Sequence, residues 1–291
     1  NNQLSDVPAL PPSLEVLKMN TNELGALGPH CFTGLVNLLN LELLGNTLHE
    51  AAVSPSAFRA LENLLSLQVD QNHFTSVPLG LPRSLQMLKM SGNMIDSVTE
   101  EALRGCSNLR LLDLSGNQLH EQSIPANAWT HLKSLEALDL SSNQLESVPA
   151  NLPRRLRKLT LRNNNIGHVP AVSFRHLRPG LQSLQLSHNR LGDGSADRAS
   201  FVGTYRSMGE LLLDNNHLGE VPPFIRQFKS LTMLRLDNNR ISEVNSQQFA
   251  PPSTPHEHLI KRVPQIFIWL EIPGPVASLS TSVALIVSCL C

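Results

Sequence analysis

Two carboxylates, Asp113 and Asp139, hold the same place in two near-identical phrases, "LDLSGNQL" and "LDLSSNQL", set 26 residues apart. If each phrase is a strand and the strands are neighbours, the two side chains lie about 4.8 Å apart. That is close enough to share a cation, with Asp70 nearby, two positions further on in its own repeat. The favoured reading is a solvated acidic face on a protein-binding sheet. The one strong charge run is "RRLRK": Arg154, Arg155, Arg157 and Lys158, followed by Arg162, Arg175 and Arg178. Guanidinium groups recognise sulfate and carboxylate well. Two readings stay open for the run: a solvated edge, or a site for a heparin-like chain or an acidic protein. Nucleic acid is not expected, because no aromatic residues are interleaved to stack on bases.

Other chemistry lacks its constellation. There are eleven histidines, and several of them, among His49, His73, His120, His168, His188 and His217, sit beside asparagine turns, as solvent-facing repeat positions do. The four cysteines, Cys31, Cys106, Cys289 and Cys291, have no Cys-x-x-Cys spacing. Cys31 and Cys106 stand where other repeats place alanine, serine or leucine, so both are expected as buried thiols acting as small hydrophobes. The Gly-Asn pairs at Gly45, Gly92 and Gly116 are repeat turns, not a phosphate loop. There is no Gly-x-Ser-x-Gly elbow and no Asn-x-Ser/Thr sequon. Neither catalysis nor a metal nor a cofactor is expected. A net charge of −1 gives no overall attraction to polyanions or membranes.

The elements that position these residues follow from self-similarity. The template Leu-x-x-Leu-x-Leu-x-x-Asn-x-Leu starts at Leu14, Leu38, Leu64, Leu85, Leu109, Leu135, Leu156, Leu181, Met208 and Leu231. Its asparagine falls at 22, 46, 72, 93, 117, 143, 164, 189, 216 and 239. The central Leu-x-Leu has period two and reads as a short strand whose leucines share one face. One such strand cannot bury that face, but a stack of them can. The expected fold is therefore a leucine-rich-repeat solenoid of α/β type. A curved parallel sheet lines its concave face, and its convex side is irregular, polyproline-like or briefly helical. The asparagine amide, both donor and acceptor, is expected to be buried between turns.

The starts are 24, 26, 21, 24, 26, 21, 25, 27 and 23 residues apart, a short-long-long superperiod. Short members carry proline phrases, "SVPLGLPRSLQ" and "SVPANLPRRLR", which exclude helix. Phe58, Trp129, Phe174 and Phe201 are expected to fill the convex side of the core. The concave face should present Glu42, Gln68, Asp70, Lys89, Asp113, Asp139, Thr160, Gln185, Asp214, Arg235 and Asp237 to a protein ligand.

The superperiod, with "ANLPRRLRKLTLRNNNIGHVP" and "LRPGLQSLQLSHNRLGDGSADRASFVGTYRSMGELLLDNNHLGEVPPFI", resembles the small leucine-rich proteoglycans of the extracellular matrix. The resemblance covers roughly residues 1–249. It implies a secreted, non-catalytic matrix protein that organises collagen or other matrix components and supports cell adhesion; heparin or heparan sulfate as a partner rests on the basic run alone. The alternative is the ectodomain of a cell-surface receptor for a protein ligand. The family's cysteine-paired caps are missing at both ends, and the opening "NNQLSDVP" reads as the close of a repeat, as in a fragment. Residues 250–291 follow no template and are expected to form a disordered apolar tail. Its segment 276–290 is 15 residues long, short of the ~20 that span a bilayer, so membrane anchoring is not expected.

Overall fold

The computed structural model describes residues 2–244, 266–270 and 283–287. It divides into two compact units, residues 1–144 with 149–156, and residues 145–148 with 157–291.

The first unit contains six parallel strands in chain order: β1 (Val16–Lys18), β2 (Asn40–Glu42), β3 (Ser66–Gln68), β4 (Met87–Lys89), β5 (Leu111–Asp113) and β6 (Ala137–Asp139). Their register is that of the repeat, so Leu17, Leu41, Leu67, Leu88, Leu112 and Leu138 face one another across the ladder. All six are buried. Burying one such side chain is worth roughly 1.5–3 kcal/mol. Two short helices lie on the returning side, α1 (Pro55–Arg59) and α2 (Glu100–Leu103), capped by the side chains of Ser54 and Thr99. The proline phrases contain no helix.

The second unit repeats the design with β7 (Lys158–Thr160), β8 (Ser183–Gln185), β9 (Glu210–Leu212) and β10 (Met233–Arg235), where Leu159, Leu184, Leu211 and Leu234 are in register. Two further strands, β11 (Ile266–Leu270) and β12 (Val283–Val287), pair with β10 and with each other, parallel and antiparallel respectively. Strand structure here differs from the expected disordered tail. A ladder that stops at β10 leaves a row of free N–H and C=O groups, and an extended apolar segment can pair with them. The rest of 250–291 lies outside the described residues. No helix among the described residues is long and apolar enough to cross a membrane.

The ladder asparagines tie the turns together. Asn143 donates to the carbonyls of Leu114 (3.0 Å) and Leu140 (3.1 Å) and accepts from the Leu119 N–H (2.9 Å). Asn189 repeats this in the second unit with Leu161, Leu186 and Ile166. Asn22 and Asn239, at the two extremes, are only half-buried, while the other eight are buried. Each of the ten follows a residue with φ between 52° and 64°, a conformation that favours glycine. Glycine fills it at 45, 92 and 116.

Phe58, Trp129, Phe174 and Phe201 are buried on the convex side as expected. Phe201 contacts Phe174, Phe224 and Phe228, with its ring 4.5 Å from that of Phe224. Cys106 is buried and Cys31 is not: it is half-exposed, because its turn points Phe32 inward in its place. Both thiols are free, and burial pushes each up to about 11.

Candidate functional site

Period two places strand residues on the open face of the sheet wherever they alternate with the ladder leucines. In the first unit this gives three columns running across the strands. The middle one is Lys18, Glu42, Gln68, Lys89, Asp113 and Asp139. Glu42 is internally satisfied. Burial alone would raise its carboxyl, but hydrogen bonds from Asn20 and Lys18 and the Lys18 charge hold it below the usual range. Lys18 Nζ lies 3.0 Å from it. Asp113 and Asp139 are in register, as their phrases required. Each accepts from its own serine two residues on, Asp113 from Ser115 Oγ (2.7 Å) and Asp139 from Ser141 Oγ (2.6 Å). No group of three His, Cys, Asp or Glu side chains among the described residues could hold a metal ion.

Four of the residues expected on the binding face are instead buried: Asp70, Thr160, Asp214 and Asp237. Asp70 accepts from both the N–H and the hydroxyl of Ser91 at 2.7 Å, on the next turn. Asp214, 1% exposed, takes the Ser187 hydroxyl and the Asn215 amide. Asp237 holds Arg235 through two bonds, Nε at 3.0 Å and Nη2 at 2.7 Å, and this raises the Arg235 pKa. Asp70 and Asp214 thus tie neighbouring turns together, and Asp237 orients Arg235 within its own repeat. Gln185 is likewise engaged, donating to Glu210 at 2.7 Å.

A column that the sequence reading passed over precedes the middle one. It is Val16, Asn40, Ser66, Met87, Leu111 and Ala137. Met87, Leu111 and Ala137 are in register and half-exposed. They form an apolar stripe beside Lys89, Asp113 and Asp139. The signal was present in the sequence, because a residue two before a solvent-facing strand position faces solvent too.

The basic run divides between the units. Arg154 and Arg155 are exposed in the first; Arg157 and Lys158 are exposed, and Arg162 half-buried, in the second.

A leucine rich repeat family model matches residues 66–119, 83–145 and 154–201. Keratocan of Danio rerio is 31% identical over 266 residues, covering 91% of this chain and 75% of that protein. The chain belongs to the small leucine-rich proteoglycan family. Other members similar to it include lumican of Mus musculus, 36% identical over 220 residues (76% of this chain, 63% of lumican). Podocan-like protein 1 of Homo sapiens is 36% identical over 225 residues, 76% of this chain and 43% of that protein, so this proteoglycan-family chain spans less than half of that relative. Among solved structures, a chain in the octameric complex of Latrophilin 3, Unc5D and FLRT2 superposes with a TM-score of 0.67. It is 28% identical and covers 83% of this chain and 67% of its own. The leucine-rich repeat domain of APL1B, at 24% identity and TM-score 0.63 over 78% of this chain and 63% of that one, shares the fold.

Proposed function

We propose that this chain is a secreted, non-catalytic organiser of the extracellular matrix that binds a matrix protein such as collagen and supports cell adhesion. The observation that carries the reading is the open face of the first unit. There the Met87, Leu111 and Ala137 stripe runs in register beside Lys89, Asp113 and Asp139. An apolar row flanked by spaced charges of both signs suits an extended protein partner, since apolar contact supplies affinity and the charges set register. Family membership supports the matrix setting. Within that setting we take the segments 150–170 and 177–225 to resemble extracellular matrix protein 2. The contiguous run Arg154, Arg155, Arg157 and Lys158, with Arg162 beyond it, is the proposed point of contact for heparin or heparan sulfate.

The test is surface plasmon resonance of the purified chain over immobilised fibrillar collagens. Wild type should bind and Leu111→Glu should lose most of the signal, with its melting temperature near that of wild type because Leu111 is half-exposed. Equal binding by both proteins, or none by wild type, would remove the collagen reading. A heparin column run with Arg154/Arg155/Arg157/Lys158→Ala tests the polysaccharide contact separately; elution at the wild-type salt concentration would reduce the run to a solvated edge.

A further inference from the structure

The short-long-long superperiod has a consequence on the convex side of the first unit. The turn starting at Leu64 is 21 residues long and returns through a proline phrase, without helix. The turn before it carries α1 and the turn after it carries α2. A short turn between two helical ones leaves a depression, and the structure has a groove of about 730 Å³ there. Gly80, Leu81 and Pro82 of the short turn line it, with Leu81 and Pro82 buried. Gly80 holds the wall close: at φ +81° its backbone lies so near α1 that a Cβ would come 1.9 Å from the Pro55 carbonyl oxygen.

Each of the three turns contributes one arginine to this groove. Arg59 is the last residue of α1, Arg83 follows Leu81-Pro82, and Arg104 follows α2. All three are exposed, and no ion pair among the described residues involves a side chain of the groove, although the Arg104 charge also acts on Glu100. Glu62 and Glu101 also line the groove and offset part of the positive charge. We propose that this groove is a binding site for a sulfated oligosaccharide, its sulfates held by Arg59, Arg83 and Arg104 and its hydroxyls donating to Glu62 and Glu101.

The chemistry selects that class. Guanidinium groups make paired hydrogen bonds to planar or tetrahedral oxyanions. One cation per turn suits a chain whose charges are spaced, and the two carboxylates disfavour a ligand with contiguous charge while accepting sugar hydroxyls. A docked peptide would need an exposed apolar anchor, and the apolar lining residues Leu81, Pro82 and Ala102 are buried. This site is independent of the concave-face reading and of the run at 154–158.

The experiment uses the full chain carrying Arg154/Arg155/Arg157/Lys158→Ala, so that the other basic run is silent. A heparin-derived hexasaccharide is titrated calorimetrically into this protein and into the same protein with Arg59→Ala, Arg83→Ala and Arg104→Ala. The first should bind, and the second should bind about tenfold more weakly or worse, as expected for three exposed charge contacts. The dependence of log K on log salt should become shallower by about 0.7 per lost contact, by analogy with single-stranded polyanions. Circular dichroism should show the same melting temperature for both, and chemically desulfated hexasaccharide should not bind either. The proposal is overturned if the first protein binds no hexasaccharide, if the three substitutions leave affinity and salt slope unchanged, or if hexaglutamate binds with the same arginine dependence and more tightly than the saccharide.

Discussion

Replacing Asn143 by alanine should destabilise the chain more than the same change at Asn22. Asn143 is buried and makes four hydrogen bonds within the first unit, three donated to the carbonyls of Leu114, Leu140 and Ser141 and one accepted from Leu119. The Leu119 N–H sits beside a fully buried side chain and has no other acceptor. Alanine leaves that buried donor unpaired, at about 1–3 kcal/mol for a group that water cannot reach, and removes one of the two donors on the Leu114 carbonyl, which keeps Asn117 at 3.0 Å. The expected loss is about 2–3 kcal/mol. Asn22 is half-buried; its amide donates to Met19 and Asn20, and its oxygen accepts from an exposed Leu4 N–H at 3.3 Å. Water can replace those bonds, so about 1 kcal/mol is expected there. Urea denaturation followed by circular dichroism reads the difference as a shift in midpoint at constant slope. Asn143→Asp adds a discriminating arm. A carboxylate can still accept from Leu119 but turns its charge on three carbonyl oxygens, so it should lose at least as much as alanine. Equal midpoint shifts for Asn143→Ala and Asn22→Ala, or an Asn143→Asp variant as stable as wild type, would refute the account of the ladder as a buried donor-acceptor relay.

Three further outcomes are expected. Gly116→Val should cost about 2 kcal/mol or more by thermal melting, because φ is +63° and a Cβ would lie 3.3 Å from the Gly92 nitrogen. The Glu100 carboxyl is held below its usual range chiefly by its hydrogen bond with His131, 2.8 Å away. A depressed carboxylate stabilises above its unfolded value of 4.5 and loses that contribution as pH falls through the lower folded value. The melting-temperature gap between wild type and Glu100→Gln should therefore be open above pH 4.5 and close on the acid side; a gap independent of pH would contradict this. Site-resolved mass spectrometry after iodoacetamide treatment at pH 8 should find Cys106 unlabelled in the native chain and labelled on unfolding, with Cys31 slow, because both thiols are raised to about 11.

The sequence alone determined what is local and periodic. Leucine at every second strand position and an asparagine ending each phrase set the strands, their order and their register, because one residue of slip would turn every leucine to solvent. It also determined that Asp113 and Asp139 are neighbours, and which turns lack helix, because proline forbids it regardless of context. Only tertiary structure decided which polar residues remain available. Asp70 and Ser115 hold the same place in their repeats, yet Asp70 is buried against Ser91 of the following turn and Ser115 is not, and a partner 21 residues away leaves no trace in a local pattern. Cys31 and Cys106 read alike and are buried differently, since each turn chooses for itself which side chain points inward. The groove of Arg59, Arg83 and Arg104 is the clearest case. Each arginine is unremarkable in its own turn, and they share one depression only because a turn of 21 residues is stacked between two longer ones that carry helices.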